Sequence, residues 1–218
     1  MLVPITRSKF EQLMPLTATG AQYQFYWGKT QDLLRRCLIS LAVLVVVFIL
    51  TAVIGEGLRL LLGLVAGLYW LWAPVLWATL RNRKIRQYPY SGFWQGRVYD
   101  VFISEDLIGT EESVNQAGQL VIVENRERRI NLELEDRMGT VIQVQAPLQR
   151  NHRPIRPGDR AELLILSRSP DLSPIEQVSD VYIPNHDVWV SDYPYLQRQS
   201  FEQVSRELAY EHRRRRRR

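Results

Sequence analysis

Two runs decide the fold: Cys37–Ile54, CLISLAVLVVVFILTAVI, and Leu60–Leu80, LLLGLVAGLYWLWAPVLWATL. They are 18 and 21 residues long, and neither contains Asp, Glu, Lys, Arg or His. Helices of that length and composition meet the requirement for crossing a hydrocarbon core of about 30 Å. The turn between them, Gly55-Glu-Gly-Leu-Arg59, supplies two glycines for backbone freedom and two charges that must reach water. The runs therefore predict a two-helix transmembrane hairpin.

Orientation is expected from the flanks. Lys29, Arg35 and Arg36 precede the first run and Arg81, Arg83, Lys84 and Arg86 follow the second, against Arg59 alone in the turn. The positive-inside rule then places both termini on the cytoplasmic side of a plasma or thylakoid membrane. A small-residue pair, Gly63 and Gly67, is the candidate helix-packing seam, and Tyr69, Trp70, Trp72 and Trp77 crowd around Pro74. Because no charge lies within either run, the intramembrane groups that mark ion pathways are missing, which argues against transport by this chain alone.

Charge divides the rest of the 218-residue chain. Residues 1–91 carry ten Lys/Arg and three Asp/Glu, residues 92–212 carry twelve and twenty, and Arg213–Arg218 are six consecutive arginines. An acidic domain thus sits between a basic collar and a basic tail, which disfavours nucleic acid as its partner. For the tail, anionic lipid headgroups are a candidate. Cys37 is the single cysteine, so an internal disulfide and a cysteine-cluster metal site are excluded; it reads as an apolar filler at the membrane edge.

Residues 1–36 read as a cytoplasmic segment in which 1–20 show no periodicity. Gln22–Gly28 and Asp32–Arg36 mix aromatic, apolar and basic residues as an interfacial helix does. Residues 81–92 form a basic linker. Over 93–192, short apolar runs recur between turn residues, with strands expected at 96–104, 119–124, 129–135, 141–145, 161–167 and 178–183. Ile130, Leu132 and Leu134 alternate with polar residues, giving one buried and one wet face. Ala161-Glu-Leu-Leu-Ile-Leu166 suits a strand buried on both faces, and Arg156-Pro-Gly-Asp159 before it is a turn that needs positive φ at glycine. Five or six such strands predict a small antiparallel barrel of OB or SH3-like type. Ser200-Phe-Glu-Gln203 reads as a capping box that starts a short amphipathic helix within 193–212. The fold class expected is therefore an α+β membrane protein: hairpin, barrel-like domain, C-terminal helix, and the arginine tail of 213–218.

Catalytic signatures are missing from the sequence. His152, His186 and His212 have no metal-ligand spacing, and no phosphate loop or nucleophile elbow occurs. Asn185-His-Asp187 reads as a turn between strands. A non-enzymatic protein without cofactor or metal is expected. Its binding residues should lie on loops and edges: Arg126, Arg128 and Arg129 are the densest basic group of the acidic domain, and Trp189 and Tyr193 are amphipathic anchors. The competing reading makes Trp189 and Tyr193 core residues.

Gly109-Thr-Glu-Glu112, Gly118-Gln-Leu-Val121, Val123–Arg129 and Ile155-Arg-Pro-Gly-Asp159, with Val178–Pro184 and Trp189–Leu196, resemble a family of cyanobacterial and plastid membrane proteins that carries a phosphate-transporter permease label. The resemblance covers roughly residues 30–208 and stops short of the arginine tail. It implies a thylakoid or cyanobacterial membrane and an auxiliary role for photosynthetic complexes, and it supplies no catalytic residues. Two uncharged helices enclose no phosphate path, so the permease label brings no transport activity with it. The expected function is that of an accessory or assembly protein, with the bilayer and the subunits of a larger membrane complex as partners; the alternative is an auxiliary subunit of a transporter or channel.

Overall fold

The computed structural model describes residues 1–28, 30–50, 55–114 and 120–216. Lys29, the last four residues of the first expected span, the Gln119 start of one expected strand, and Arg217 and Arg218 of the tail lie outside the described residues. The chain forms two compact units: a sheet unit of Met1–Phe10, Pro89–Tyr193 and Glu202–Arg218, and a helical unit of Glu11–Tyr88 and Pro194–Phe201.

The sheet unit holds eight strands: β1 (Leu2–Pro4), β2 (Tyr90–Val114), β3 (Leu120–Glu135), β4 (Val141–Pro147), β5 (Arg160–Ser167), β6 (Gln177–Val178), β7 (Val181–Ile183) and β8 (Val188–Val190). All pairings are antiparallel, in the order β4-β3-β2-β5-β7-β8, with β1 on β2 and β6 on β5. The expected OB or SH3-like barrel is corrected to an open sheet. Closure needs the two outer strands to pair, and among the described residues no ladder joins β4 to the three-residue β8. Instead β2 and β3 run on together from Ser104 and Arg129 to Val114 and Leu120, beyond the reach of β4 and β5.

Alternation sets the core. Ile130, Leu132 and Leu134 of β3 are buried with Trp94, Leu163 and Val181, as period-2 packing requires. Residues 161–167 of β5 are buried on both faces. Gly96 is fixed by a close approach: a Cβ there would overlap the Trp94 ring and the Glu135 carbonyl oxygen. The turn before β5 forms with Gly158 at φ +93 and a 3.1 Å bond from the Asp159 N–H to the Arg156 carbonyl. The Gly158 N–H also donates to the Val98 carbonyl at 2.8 Å, tying the turn to the irregularity in β2 between Val98 and Asp100.

Among the described residues six α-helices accompany the sheet: α1 (Arg7–Leu13), α2 (Gly20–Trp27), α3 (Thr30–Ile49), α4 (Glu56–Gly67), α5 (Tyr69–Arg86) and α6 (Arg198–Arg216). Residues 1–20 are thus ordered, β1 by its ladder to β2 and α2 by a capping box between Thr19 and Gln22. The C-terminal helix begins at Arg198, with the Phe201 N–H on the Gln197 carbonyl, so Ser200 is inside it and does not cap it.

Both expected spans are corrected. No single helix among the described residues is long and apolar enough to cross a membrane. Within the described residues the uncharged part of α3 runs from Cys37 to Ile49, about 20 Å at ~1.5 Å per residue, against the ~30 Å of a hydrocarbon core. The second run breaks at Leu68, and α4 and α5, which meet the length and composition test only when taken together, are bent by 72°. Without a spanning helix among the described residues the positive-inside assignment loses its basis, and the expectation of a two-span integral protein with both termini cytoplasmic falls with it.

The break is built into the helical unit. A bend at Leu68 frees the last carbonyls of α4 from helical partners. The Trp72 Nε1–H donates to the Val65 carbonyl at 2.9 Å, and the Ser40 hydroxyl of α3 donates to the Gly67 carbonyl at 3.1 Å and to that of Ala66. Gly63 and Gly67 both face Leu44 of α3. At the other end Gln22 and Asn82 exchange hydrogen bonds of 3.0 and 2.9 Å, and Gln22 Nε2 donates to the Pro194 carbonyl at 2.9 Å.

Candidate binding cleft

After β4 the chain reads Leu148-Gln-Arg-Asn-His-Arg-Pro-Ile-Arg156 and forms a short 3-10 helix, Arg150–His152, continued in αR conformation at Arg153. A 3-10 helix has three residues per turn, so residues three apart project alike. Arg150, Arg153 and Arg156 follow that spacing and are exposed, while His152 and Ile155 are buried. His152 anchors the segment: its Nδ1 accepts the Gln149 N–H, and Nε2 lies 3.3 Å from the Trp189 carbonyl. An accepting Nδ1 leaves the proton on Nε2, which donates to Trp189. Burial pushes the His152 pKa below the usual imidazole value, outweighing the Trp189 bond, and a proton added at Nδ1 would confront the Gln149 N–H.

This segment walls a cleft of about 440 Å³ against β2 and β3. Ile103, Ile130, Leu148 and Ile155 supply apolar floor, and Arg128, Arg150, Arg153 and Arg156 line it. Arg128 and Ile130 enter together because alternate residues of a strand share a face.

The sequence-expected residues separate accordingly. Of the three β3 arginines only Arg128 lines the cleft; its nearest carboxylate, Glu105, is 4.0 Å away. Arg126 is exposed and paired with Glu124 at 2.7 Å. Arg129 points to the opposite face, bonded to Asp192 at 2.8 Å with Asp106 and Glu127 within 4 Å. Trp189 and Tyr193 are 8% and 1% exposed, and Trp189 stacks on Tyr182 with ring centroids 4.7 Å apart; both side chains belong to the interior, not to an open face. Asn185, His186 and Asp187 lie in the β7–β8 turn, where His186 meets Asp159 at 2.9 Å and Asp187 accepts the Tyr182 hydroxyl at 3.0 Å. Burial and that bond push the Tyr182 pKa up to about 12. Arg150 and Arg153 were not among the expected residues; their signal was the i, i+3, i+6 arginine spacing ahead of the Pro-Gly turn.

A second, wider cleft of about 750 Å³ is lined by Gln95, Arg97, Tyr99, Glu135 and Arg160. There Arg160 pairs at 2.5 Å with buried Glu162, which also accepts from Gln95 at 2.8 Å, and the N-terminal ammonium lies 3.6 Å from Asp136; Arg137 lines the same cleft. No group of three His, Cys, Asp or Glu among the described residues is arranged to hold a metal.

No curated protein and no solved structure matches the chain. A family model does, over residues 3–215, described as a family of unknown function (DUF8619), a description that names neither a membrane nor a transport activity. With nearly its whole length matched, the chain belongs to this family of unknown function, DUF8619.

Proposed function

We infer that the protein is a non-enzymatic membrane accessory protein, seated in the lipid phase from one side by its helical unit, with the sheet unit as the part that engages a partner subunit. One observation carries the reading. Among the described residues from 30 to 80, the buried positions are Arg36, Ser40, Ala66, Ala73, Pro74 and Ala78, all small or polar. Twenty-one large apolar side chains in the same region, Leu34 to Leu80, are exposed. Proteins in water rarely expose apolar patches beyond a few hundred Å², whereas helices in lipid pack through small residues and turn their Leu, Val and Phe outward. Seating from one side needs no crossing helix, only apolar faces sunk to the acyl boundary. Gly63 and Gly67, which would give an auxiliary transporter subunit its seam, already face Leu44, so nothing favours that alternative.

Flotation of the full chain with phosphatidylcholine vesicles tests the lipid half. Co-flotation that persists in about 1 M salt is expected, because apolar insertion is not screened. A monodisperse full chain in detergent-free buffer, left in the dense fraction, would overturn it. For the partner half, crosslinked affinity purification from native membranes should return specific membrane subunits; recovery of the chain alone across mild detergents would count against it.

A further inference from the structure

We propose that the cleft between β2, β3 and the 148–156 segment binds a phosphate group carrying an apolar substituent, the phosphate held by Arg150 and Arg153 with Arg128 and Arg156 beside them. The sheet unit is acidic, and outside this cleft Arg126, Arg129, Arg160 and Arg168 meet the carboxylates of Glu124, Asp192, Glu162 and Glu176, while Arg97 and Arg137 lie apart in the other cleft. Arg150 and Arg153 have no carboxylate partner among the described residues, and Asp159, the acid nearest in sequence, is occupied by the Arg156 N–H and His186. Four guanidinium groups around one cleft repel one another unless an anion joins them. A phosphate monoester, at about −1.5 to −2 near neutral pH, offsets that charge better than one carboxylate and matches the planar guanidinium fork.

Apolar surface directly under the arginines sets the rest of the ligand. Ile103 is about half exposed and lies with Ile130, Leu148 and Ile155 in the same cleft, whose volume falls in the range of small-ligand sites. A phosphate with an apolar tail covers both surfaces at once; inorganic phosphate covers one. Such a group comes either from a soluble organic phosphate or from the head of an anionic phospholipid. The cleft lies wholly within the sheet unit, so the proposal does not rest on how the helical unit meets lipid.

The test titrates the full chain, in neutral detergent, with hexyl phosphate and with inorganic phosphate by calorimetry, comparing wild type with Arg150→Gln/Arg153→Gln. Both residues are exposed, and partition of the ligand into micelles is common to both proteins. Saturable binding of hexyl phosphate that weakens at least about tenfold in the double variant is expected, with Arg137→Gln, which removes one positive charge from the other cleft, leaving it unchanged. Equal binding by wild type and double variant, or equal weakening by Arg137→Gln, overturns the site. Inorganic phosphate binding as tightly as hexyl phosphate overturns the apolar half. Vesicles then separate the sources: greater recruitment to phosphatidic acid than to phosphatidylcholine, lost in the double variant, assigns a lipid head, and equal recruitment assigns a soluble phosphate.

Discussion

The helical unit and the sheet unit are built inside out relative to one another. In the sheet unit the interior is Trp94, Leu132, Leu163 and Val181, and the exterior carries the charged side chains beside exposed apolar residues of the β2–β3 arm such as Phe102, Leu107 and Ile122. Among the described residues between Thr30 and Leu80 the exterior is mainly Leu, Val, Ile and Phe, and what is buried is serine, alanine, Pro74 and a capped arginine, Arg36, whose guanidinium donates to the Tyr26 and Trp27 carbonyls. The same rule, that each surface must satisfy its surroundings, would give these opposite patterns if the helical unit met lipid as proposed and the sheet unit met water. Stability in the sheet unit therefore rests on apolar burial, and in the helical unit on polar groups that close the backbone and lock the helices.

The largest effect that would break this contrast is in β5. Leu163→Ala, at a fully buried site, should destabilise the sheet unit by about 3–5 kcal/mol through lost transfer energy and a cavity, read by denaturant unfolding of the full chain in mild detergent. A loss below about 1 kcal/mol would mean that the sheet core is looser than its burial implies.

Next comes the polar lock. Asn82→Ala removes the reciprocal partner of buried Gln22 and should cost the helical unit about 1–3 kcal/mol, the range for stranding a buried amide. Followed by the fluorescence of Trp70, Trp72 and Trp77, an unchanged transition would show that this pair adds nothing to the unit.

A smaller, pH-dependent effect belongs to His152. Its folded pKa lies below the unfolded value of about 6.5, so the unfolded chain takes up the proton first and protonation favours unfolding. Stability from this group should be complete above about pH 6.5 and fall as pH drops beneath it toward pH 5, before the ordinary carboxylates titrate. His152→Gln should flatten that slope. A wild-type curve level between about pH 7.5 and pH 5 would show that the imidazole is not held neutral.

Smallest of all should be Leu61→Ala, on an exposed face of α4: within about 0.5 kcal/mol, as for surface positions generally. A core-sized loss there would reverse the inside-out description.

How much of this was legible follows from the range over which each signal acts. The β3 alternation at Ile130, Leu132 and Leu134 and the double burial of β5 are local period-2 patterns and appear where the sequence put them. The Arg156–Asp159 turn is set by its own Pro and Gly. Strand pairing is not local: whether β4 meets β8 depends on edges about forty residues apart, and the three-residue β1 exists only through its ladder to Leu2's partner Trp94 and its neighbours. The apolar composition of 37–80 was read as two uninterrupted membrane-spanning helices, and the second run breaks at Leu68 instead. Composition cannot register a bend whose carbonyls are capped by Ser40 from another helix and by Trp72. At the site, Arg128 was legible as part of a basic group, whereas Arg129 was drawn off by Asp192, which only tertiary geometry supplies, and Arg126 by Glu124, two residues along the same strand. Trp189 and Tyr193 illustrate the same point, since an amphipathic residue near a turn reads as an anchor until the interior is known.

What surrounds the helical unit can be measured directly. With Cys37 replaced by Ser, nitroxides placed one at a time through Leu41→Cys, Leu61→Cys and Leu64→Cys, with Tyr99→Cys in the sheet unit as reference, can be probed in the vesicle-bound full chain by collision with oxygen and with a water-soluble nickel chelate. All four positions are exposed. The three helical positions should favour oxygen and Tyr99 the chelate; helical positions that collide with the chelate as freely as Tyr99 does would place these faces in water and contradict the account.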